Sequence, residues 1–383
     1  MEFKKLYKTT SVGKTQIWWM EIEGDKYRAH SGQKDGKIVT SAWTVALPKN
    51  IGKKNATNGE EQALFEVTST YADKTKKGYV ETLEDLENGT FSRFQAMLAK
   101  DFKDAPRKRD VTEAFASNEK VASQPKLDGF RCNASISERL MSRWGTEFVN
   151  APHVFEACKS IFEKHPGIVI DGELYNHELR ADFNSISSLV RKEKPEPEHL
   201  KASADIIKFH IYDCFLPDKP EMVFSERHAY IAKLVTEAND PRLVLVPTVF
   251  VKSQQELDVL YDDYLENEYE GQMIRLNGKY KKGGRSADLL KRKEFQDGEF
   301  KVTDITEGIG NRAGMAGRCF CALPDGRIFR SNIKGTREFL KKLLENKHEY
   351  IGGDATVEFG NYTPAGIPRF GRIKTFWPGG RNA

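Results

Sequence analysis

Along residues 1–80 the apolar positions first alternate and then take up a helical period. "TQIWWMEIEG" (15–24), "KYRAHSG" (26–32) and "GKIVTSAWTV" (36–45) gather β-forming residues and stop at Gly or Asp-Gly turns, which predicts strands. In "GEEQALFEVTSTYADKTKKGY" (59–79) Ala63, Leu64, Val67 and Tyr71 share one stripe, which predicts a helix ended by Gly78. A small sheet with one helix makes a complete minor domain. "TFSRFQAMLAKDF" (90–102) reads as a further helix, and "KDAPRKRD" (103–110) reads as a linker, so 81–110 is expected to be a helical linker.

From 111 to 295 strand and helix patterns mix without strict βαβ order. "GIVIDGEL" (167–174), "IIKFHIYDCF" (206–215), "RLVLVPTVFV" (242–251) and "GQMIRL" (271–276) predict strands. "PHVFEACKSIFEKH" (152–165) and "SQQELDVLYDDYLENE" (253–268) predict helices. The second offers Ser253 and Glu256 as a capping box, with Leu257, Leu260, Tyr261, Tyr264 and Leu265 as its apolar face. "RKEKPEPEHLKAS" (191–203) reads as a charged loop. Residues 296–383 are mostly β, with one helix near "TREFLKKLLEN", a content compatible with an OB barrel. The fold class is therefore multidomain α+β.

Composition narrows this only a little. The chain has 383 residues, 39% hydrophobic and 30% charged, which suits two or three soluble domains. No apolar run is long enough to cross a bilayer, and "MEFKKLYKTT" lacks the apolar core of a secretory signal. The five cysteines show no CxxC pair, so neither a zinc site nor a disulfide framework is expected, and the location is taken as cytoplasmic and reducing. The net charge of +4 divides unevenly. Residues 1–80 hold 14 Lys+Arg against 9 Asp+Glu, and 296–383 hold 14 against 10; 81–295 hold 32 against 37. Basic ends suit contact with a polyanion.

The chemistry-bearing residues sit at strand ends. "QPKLDGFR" (124–131) places Lys126 before an Asp-Gly turn. Alone, that is an ordinary surface turn. It is followed in order by Arg143 in "MSRWG", Glu173 in "IDGEL", Tyr212 in "HIYDCF", Glu270 in "YEGQMIR", and Lys291 and Lys293 on alternate positions of "LLKRKEF". A lysine amine is a nucleophile only when its pKa is lowered from roughly 10.4. Burial or the cations Lys291 and Lys293 are expected to lower it here.

This ordered set resembles the covalent nucleotidyltransferases, and most closely the ATP-dependent DNA ligases. Lys126, Asp128, Gly129 and Arg131 match KxDGxR; Arg143 and Gly145 match SRxG; Asp171-Gly172-Glu173 match DGE; Glu270, Gly271 and Met273 match EGxM; Lys291 and Lys293 match KxK. The resemblance implies a nucleotidyltransferase (ATP-grasp-like) domain of antiparallel sheets and helices over 111–295 and a C-terminal OB-fold barrel over 296–383. It implies that Lys126 accepts AMP from ATP and passes it to a 5′-phosphate at a nick, in DNA replication, repair or recombination. Lys291 and Lys293 would assist catalysis. Gln124, Arg131, Arg143, Glu173 and Tyr212 would bind ATP, with Tyr212 stacked on adenine. Glu270 and Glu173 would hold Mg²⁺. Nicked duplex DNA would be the partner of a monomer with no membrane contact.

"GNYTPAGIPRFGRIK" (360–374) resembles the end of a ligase OB domain and offers Arg369, Arg372 and Lys374 to DNA, although Arg372-Ile373-Lys374 lacks the aspartate of the family's RxDK element. Residues 1–80 resemble a WGR domain, a nucleic-acid-end-binding module, with His30-Ser31-Gly32-Gln33 where the Trp-Gly-Arg triplet would stand. An RNA ligase, a capping guanylyltransferase and a catalytically silent nucleic-acid-binding protein remain as alternatives.

Overall fold

The computed structural model describes residues 1–10, 13–87, 93–104, 111–308, 312–363 and 365–380. The chain separates into two compact units, Arg93–Glu294 and the two flanking stretches Met1–Ser92 with Phe295–Ala383.

In the flanking unit, β1 (Leu6–Thr9), β2 (Thr15–Glu23), β3 (Lys26–Gln33), β4 (Ile38–Thr40) and β5 (Thr44–Val45) make one antiparallel sheet. Helix α1 (Gly59–Lys76) packs on it, and the short α2 (Leu83–Glu87) follows. Asn58 caps α1 by accepting the Glu61 N–H, and Glu61 answers to the Asn58 N–H, so two orphan donors are satisfied at once. Leu6, Trp18, Met20, Val67 and Tyr79 form the core. Leu64, expected on the buried stripe, is 49% exposed instead. The i, i+4 row through Ala63, Val67 and Tyr71 is the inner face, and Leu64 lies one step off it.

The central unit holds two five-stranded sheets. Its elements in chain order are β6 (Leu98–Asp101), α3 (Val111–Ala116), β7 (Val121–Lys126), β8 (Phe130–Ser135), β9 (Arg139–Ser142), α4 (Pro152–Lys164), β10 (Val169–Tyr175), α5 (Phe183–Val190), α6 (Pro197–Ile206), β11 (Lys208–Phe215), α7 (Phe224–Ala238), β12 (Leu243–Leu245), β13 (Val249–Val251), α8 (Gln254–Glu266), β14 (Gly271–Leu276) and β15 (Arg285–Lys293). One sheet runs β12-β11-β10-β8-β9, the other β13-β7-β14-β15-β6. The first sheet packs with α4 and α7 around a large apolar cluster that includes Val154, Ile161, Phe162, Ile170 and Phe209.

Several expectations change here. The stretch 90–102 is not helical where described. Leu98–Asp101 is a strand added parallel to β15, and Phe102–Asp104 is a single 3₁₀ turn. Ladder bonds to β15 override the local helical pattern. Residues 90–92 and most of the predicted linker, 105–110, lie outside the described residues. The charged stretch 191–203 is not all loop, because Pro197 starts α6 at a first-turn position, where its missing N–H costs nothing. Residues 242–251 split into β12 and β13 in different sheets, with Pro247 between them. At α8, Ser253 accepts from the Glu256 N–H, but Glu256 accepts from Lys252 rather than Ser253, so the box is not reciprocal. Leu257, Tyr261 and Tyr264 are buried as expected.

In the flanking unit's C-terminal stretch, β16 (Gln296–Glu307), β17 (Ala316–Ala322), β18 (Ile328–Ile333), β19 (Asp354–Phe359) and β20 (Arg372–Trp377) close into a barrel in the order β16-β17-β18-β20-β19. Helices α9 (Arg337–Glu345) and α10 (Lys347–Tyr350) lie between β18 and β19. No helix among the described residues is long and apolar enough to cross a membrane.

Candidate active site

Strand register brings the predicted residues together. On the second sheet, Met273 lies opposite Gln124 on one side and Lys291 on the other. One row further along, Gly271 lies between Lys126 and Lys293. Residues two apart share a face, so Gln124, Lys126, Met273, Lys291 and Lys293 belong to one surface. On the first sheet, Glu173 lies opposite Arg131. The ladder between β10 and β11 slips between Asp171 and Gly172, which leaves Tyr212 as the extra residue of a bulge. A bulge re-aims side chains, and this one turns Tyr212 to the pocket. Gln124, Lys126, Arg131, Arg143, Glu173, Tyr212 and Lys291 all line a single open cavity, together with Leu98, Ala99, Met273, Arg275 and Arg285.

At its wall Lys126 Nζ donates to Glu270, whose other oxygen accepts from Lys293 Nζ at 2.9 Å. The Glu270 N–H also donates to the Lys126 carbonyl at 3.0 Å, so backbone and side chain are both coupled. Burial works to lower the Lys126 ammonium, but Glu270, Glu173 and Asp128 outweigh it, and its pKa lies above the ordinary lysine value. This corrects the expected lowering: the nearest charges are carboxylates. Burial would raise Glu270, yet Lys126 and Lys293 pull it down to about 2. Burial pushes Glu173 up to about 7 against the opposing pull of Lys126 and Arg131. The two carboxylates are thus driven apart, one firmly ionised and one poised near neutrality.

The pair Lys291 and Lys293 separates in its partners. Lys291 Nζ lies 3.3 Å from Asp101 on β6, while Lys293 serves Glu270. Arg131 is locked as a fork on Asp171 (Nε–Oδ1 3.0 Å, Nη2–Oδ2 2.6 Å), and its Nη1 donates to the Met97 carbonyl at 2.7 Å. Gln124 donates to Thr248 at 2.8 Å and accepts from Arg275 at 2.6 Å. The guanidiniums of Arg275 and Arg131 lie 5.3 and 5.7 Å from the centroid of the Tyr212 ring. Arg143 is exposed and stacks on Trp144; partial burial, then Arg131 and Arg285, lower its pKa.

Gly129 explains itself by space. A Cβ there would stand 2.6 Å from the Leu174 carbonyl oxygen and 2.9 Å from Glu173 Cγ. The turn after Lys126 therefore presses on the strand that carries Glu173. Gly129→Ala is expected to cut AMP transfer to the protein at least tenfold by pushing Lys126 and Glu173 apart. Single-turnover labelling with ATP measures this, and wild-type rates would show that the contact is dispensable.

Arg369, Arg372 and Lys374 belong to the barrel stretch. Arg372 pairs with Glu358 and Lys374 with Asp297 at 2.5 Å, while Arg369 lies 5.3 Å from the Phe370 ring.

Residues 96–293 match the family model described as "ATP dependent DNA ligase domain", which is more than half of the chain. The chain belongs to the ATP-dependent DNA ligases. It is 27% identical over 364 residues to a DNA ligase of African swine fever virus, covering 89% of this chain and 81% of that one. It is 24% identical over 280 residues to a probable DNA ligase of Koribacter versatilis, covering 65% of this chain and 48% of that one. A solved structure from a study of Lig E DNA ligases superposes with a TM-score of 0.58 at 24% identity, covering 74% of this chain and 98% of that chain, and shares the fold.

In the ligase, sequence reasoning passes over one residue that lines the cavity and two that hold its lining side chains. Arg275 is two positions beyond Met273 on β14 and so shares its face, a signal available from alternation alone. Asp171 collects Arg131, Asn133 and Tyr280 (OH–Oδ2 2.6 Å), and only its place in "IDGEL" hints at this. Asp101 has no signal, because its strand reads as a helix.

Proposed function

We propose that the ligase attaches AMP to Lys126 in this cavity and then transfers it to the 5′-phosphate of nicked duplex DNA. The observation that carries this reading is the convergence of Lys126, Glu173, Arg131, Tyr212 and Lys291 on one cavity, with Glu270 and Lys293 joined to Lys126 by hydrogen bonds. Lys126 Nζ would attack the α-phosphorus of ATP, forming the N–P bond as pyrophosphate leaves. Attack needs the free amine, so Lys126 must first release a proton to solvent, and the facing Glu270 carboxylate opposes that release. Lys291 and Lys293 offset the phosphate's growing charge. Tyr212 supplies a ring for adenine, and Arg143 at the rim supplies a planar fork for phosphate.

Glu270 and Glu173 fit a divalent cation. The charge of Glu270 raises Glu173, so the two carboxylates repel across a short gap that a cation would relieve, and Mg²⁺ commonly takes one or two carboxylates together with phosphate oxygens. Bound there, Mg²⁺ would supply charge neutralisation for those oxygens. We assign the closed C-terminal barrel to the OB folds, with Arg369, Arg372 and Lys374 as DNA contacts, and the N-terminal sheet with α1 to a WGR-like DNA-binding module.

The test incubates the protein with Mg²⁺ and α-labelled ATP and then with nicked DNA. Label should appear on Lys126 and pass to the DNA; label that stays on protein overturns the assignment of substrate. Deleting 1–80 should leave AMP transfer to Lys126 intact and weaken sealing through KM for DNA more than kcat, because the lost contacts hold substrate and transition state alike. An unchanged KM removes DNA binding from the module.

Glu173 also permits a stability prediction. Its pKa of about 7 exceeds the ordinary carboxylate value, so the folded state binds the proton more tightly than the unfolded one. Stability from that proton is present in full below about pH 4 and is lost as pH rises through 7. Glu173→Gln should therefore raise Tm by a few degrees at pH 8 and change it little at pH 4.5, while losing activity. Equal effects at both pH values in thermal melts would disprove the coupling.

A further inference from the structure

The lysines of the N-terminal module are unevenly placed. Lys8 on β1 and Lys74 in the last turn of α1 both lie over the Tyr79 ring, 5.7 and 4.8 Å from its centroid. Lys74 is also 4.5 Å from the Trp18 ring. Lys8 Nζ donates to the carbonyl of Lys77 at 2.5 Å, and Lys77 itself is exposed just beyond the helix. Two cations from two elements thus lie over a buried tyrosine, and the charge of Lys77 acts on both. They oppose one another: burial, then Lys77 and Lys8, lower Lys74 to about 8, and burial, then Lys77, lowers Lys8. Among the described residues, no carboxylate contributes to either shift.

The helix dipole accounts for part of this, since cations are favoured at a helix C-terminus. It does not account for Lys8 arriving from a strand, nor for Lys74 lying on two rings. Gathered like charges interleaved with aromatics suit a polyanion, and the polyanion a DNA ligase handles is DNA.

We propose that Lys8, Lys74 and Lys77 form a contact site for the sugar–phosphate backbone of duplex DNA, where β1 meets the C-terminal end of α1. The site rests on the reading of this module as DNA-binding and gives it an address. A phosphate among the three ammoniums relieves their repulsion and releases condensed counterions. Contacts to phosphate position the duplex without reading its sequence.

The test uses the full-length protein. An amine-acylating reagent at pH 8 should label Lys74 readily, and nicked duplex should slow that labelling at least fivefold while ATP alone should not. Equal labelling of all three lysines with and without duplex overturns the site. If duplex then protects other lysines of 1–80, the module still binds DNA elsewhere; if it protects none, that reading falls as well.

A second arm compares K8Q/K74Q/K77Q with K34Q/K53Q/K54Q, which removes the same charge from exposed lysines of the same module. Thermal melts confirm that both are folded. The first should bind nicked duplex about tenfold more weakly at low salt and flatten the log–log salt slope by about two units. The second should lose less than twofold. Equal losses would mean that only net charge matters, which overturns the proposal.

Discussion

Lys126→Ala is expected to carry no AMP after incubation with ATP and Mg²⁺, a loss of at least about a thousandfold. The other cavity amines do not substitute for it. Lys291 and Lys293 stand on β15, with β14 between them and the position of Lys126 on β7, so neither amine occupies the place from which Lys126 would attack. The same protein should still seal a nick that already bears 5′-linked AMP, slowly, because that step expels AMP from DNA and uses no lysine–phosphorus bond. Mass measurement of the intact protein checks the first result, and a pre-adenylated substrate checks the second. An alanine variant that still takes up AMP would place the nucleophile elsewhere. One that cannot seal the adenylated nick would give Lys126 a further duty in the last step.

Glu270→Ala should be the next most damaging change, with AMP transfer down about a hundredfold and partly restored by raised Mg²⁺. Two effects compete in this variant. Losing the carboxylate would weaken the proposed hold on the cation, and it also removes the main charge that raises the Lys126 pKa. The first effect should dominate the rate at neutral pH. The second should show in what remains: with burial and Lys293 left beside it, Lys126 sheds its proton at lower pH, so the residual rate should climb at lower pH than in the wild type. Rate–pH profiles at saturating Mg²⁺ separate the two. A profile with an unmoved limb would show that Glu270 does not govern that proton.

Much of the site is legible in the sequence because its residues repeat at strand periodicity. Lys291 and Lys293, or Gln124 and Lys126, announce a shared face by their spacing alone. The order of short polar motifs along the chain also survives folding unchanged. The acid–base balance is not legible. Nearby cations in the sequence predict a lowered Lys126, yet the ladder places Glu270 against it, and no spacing reveals which side chain crosses from a neighbouring strand. Tyr212 stands out as an aromatic on an apolar strand, but the bulge that aims it depends on pairing with β10. Leu64 misleads because an apolar side chain one step off a helix stripe looks the same in sequence as one on it. The strand at 98–101 escapes sequence reasoning outright, since "AMLAK" suits a helix until β15 is beside it to pair with.

That strand also sets the order in which the protein can mature on the ribosome. It pairs Leu98 with Arg285 and Lys291 with Asp101, so one wall of the cavity joins an early segment to one made nearly two hundred residues later. Until translation has passed Lys293, the emerging chain holds a lone, half-apolar strand with an open edge and no neighbour. Pairings this distant close slowly, and unpaired edges invite association with other chains in the interval. The cavity beside Lys126 is therefore among the last parts of the central unit to be completed, and its early wall is the segment with the longest wait beside other nascent proteins.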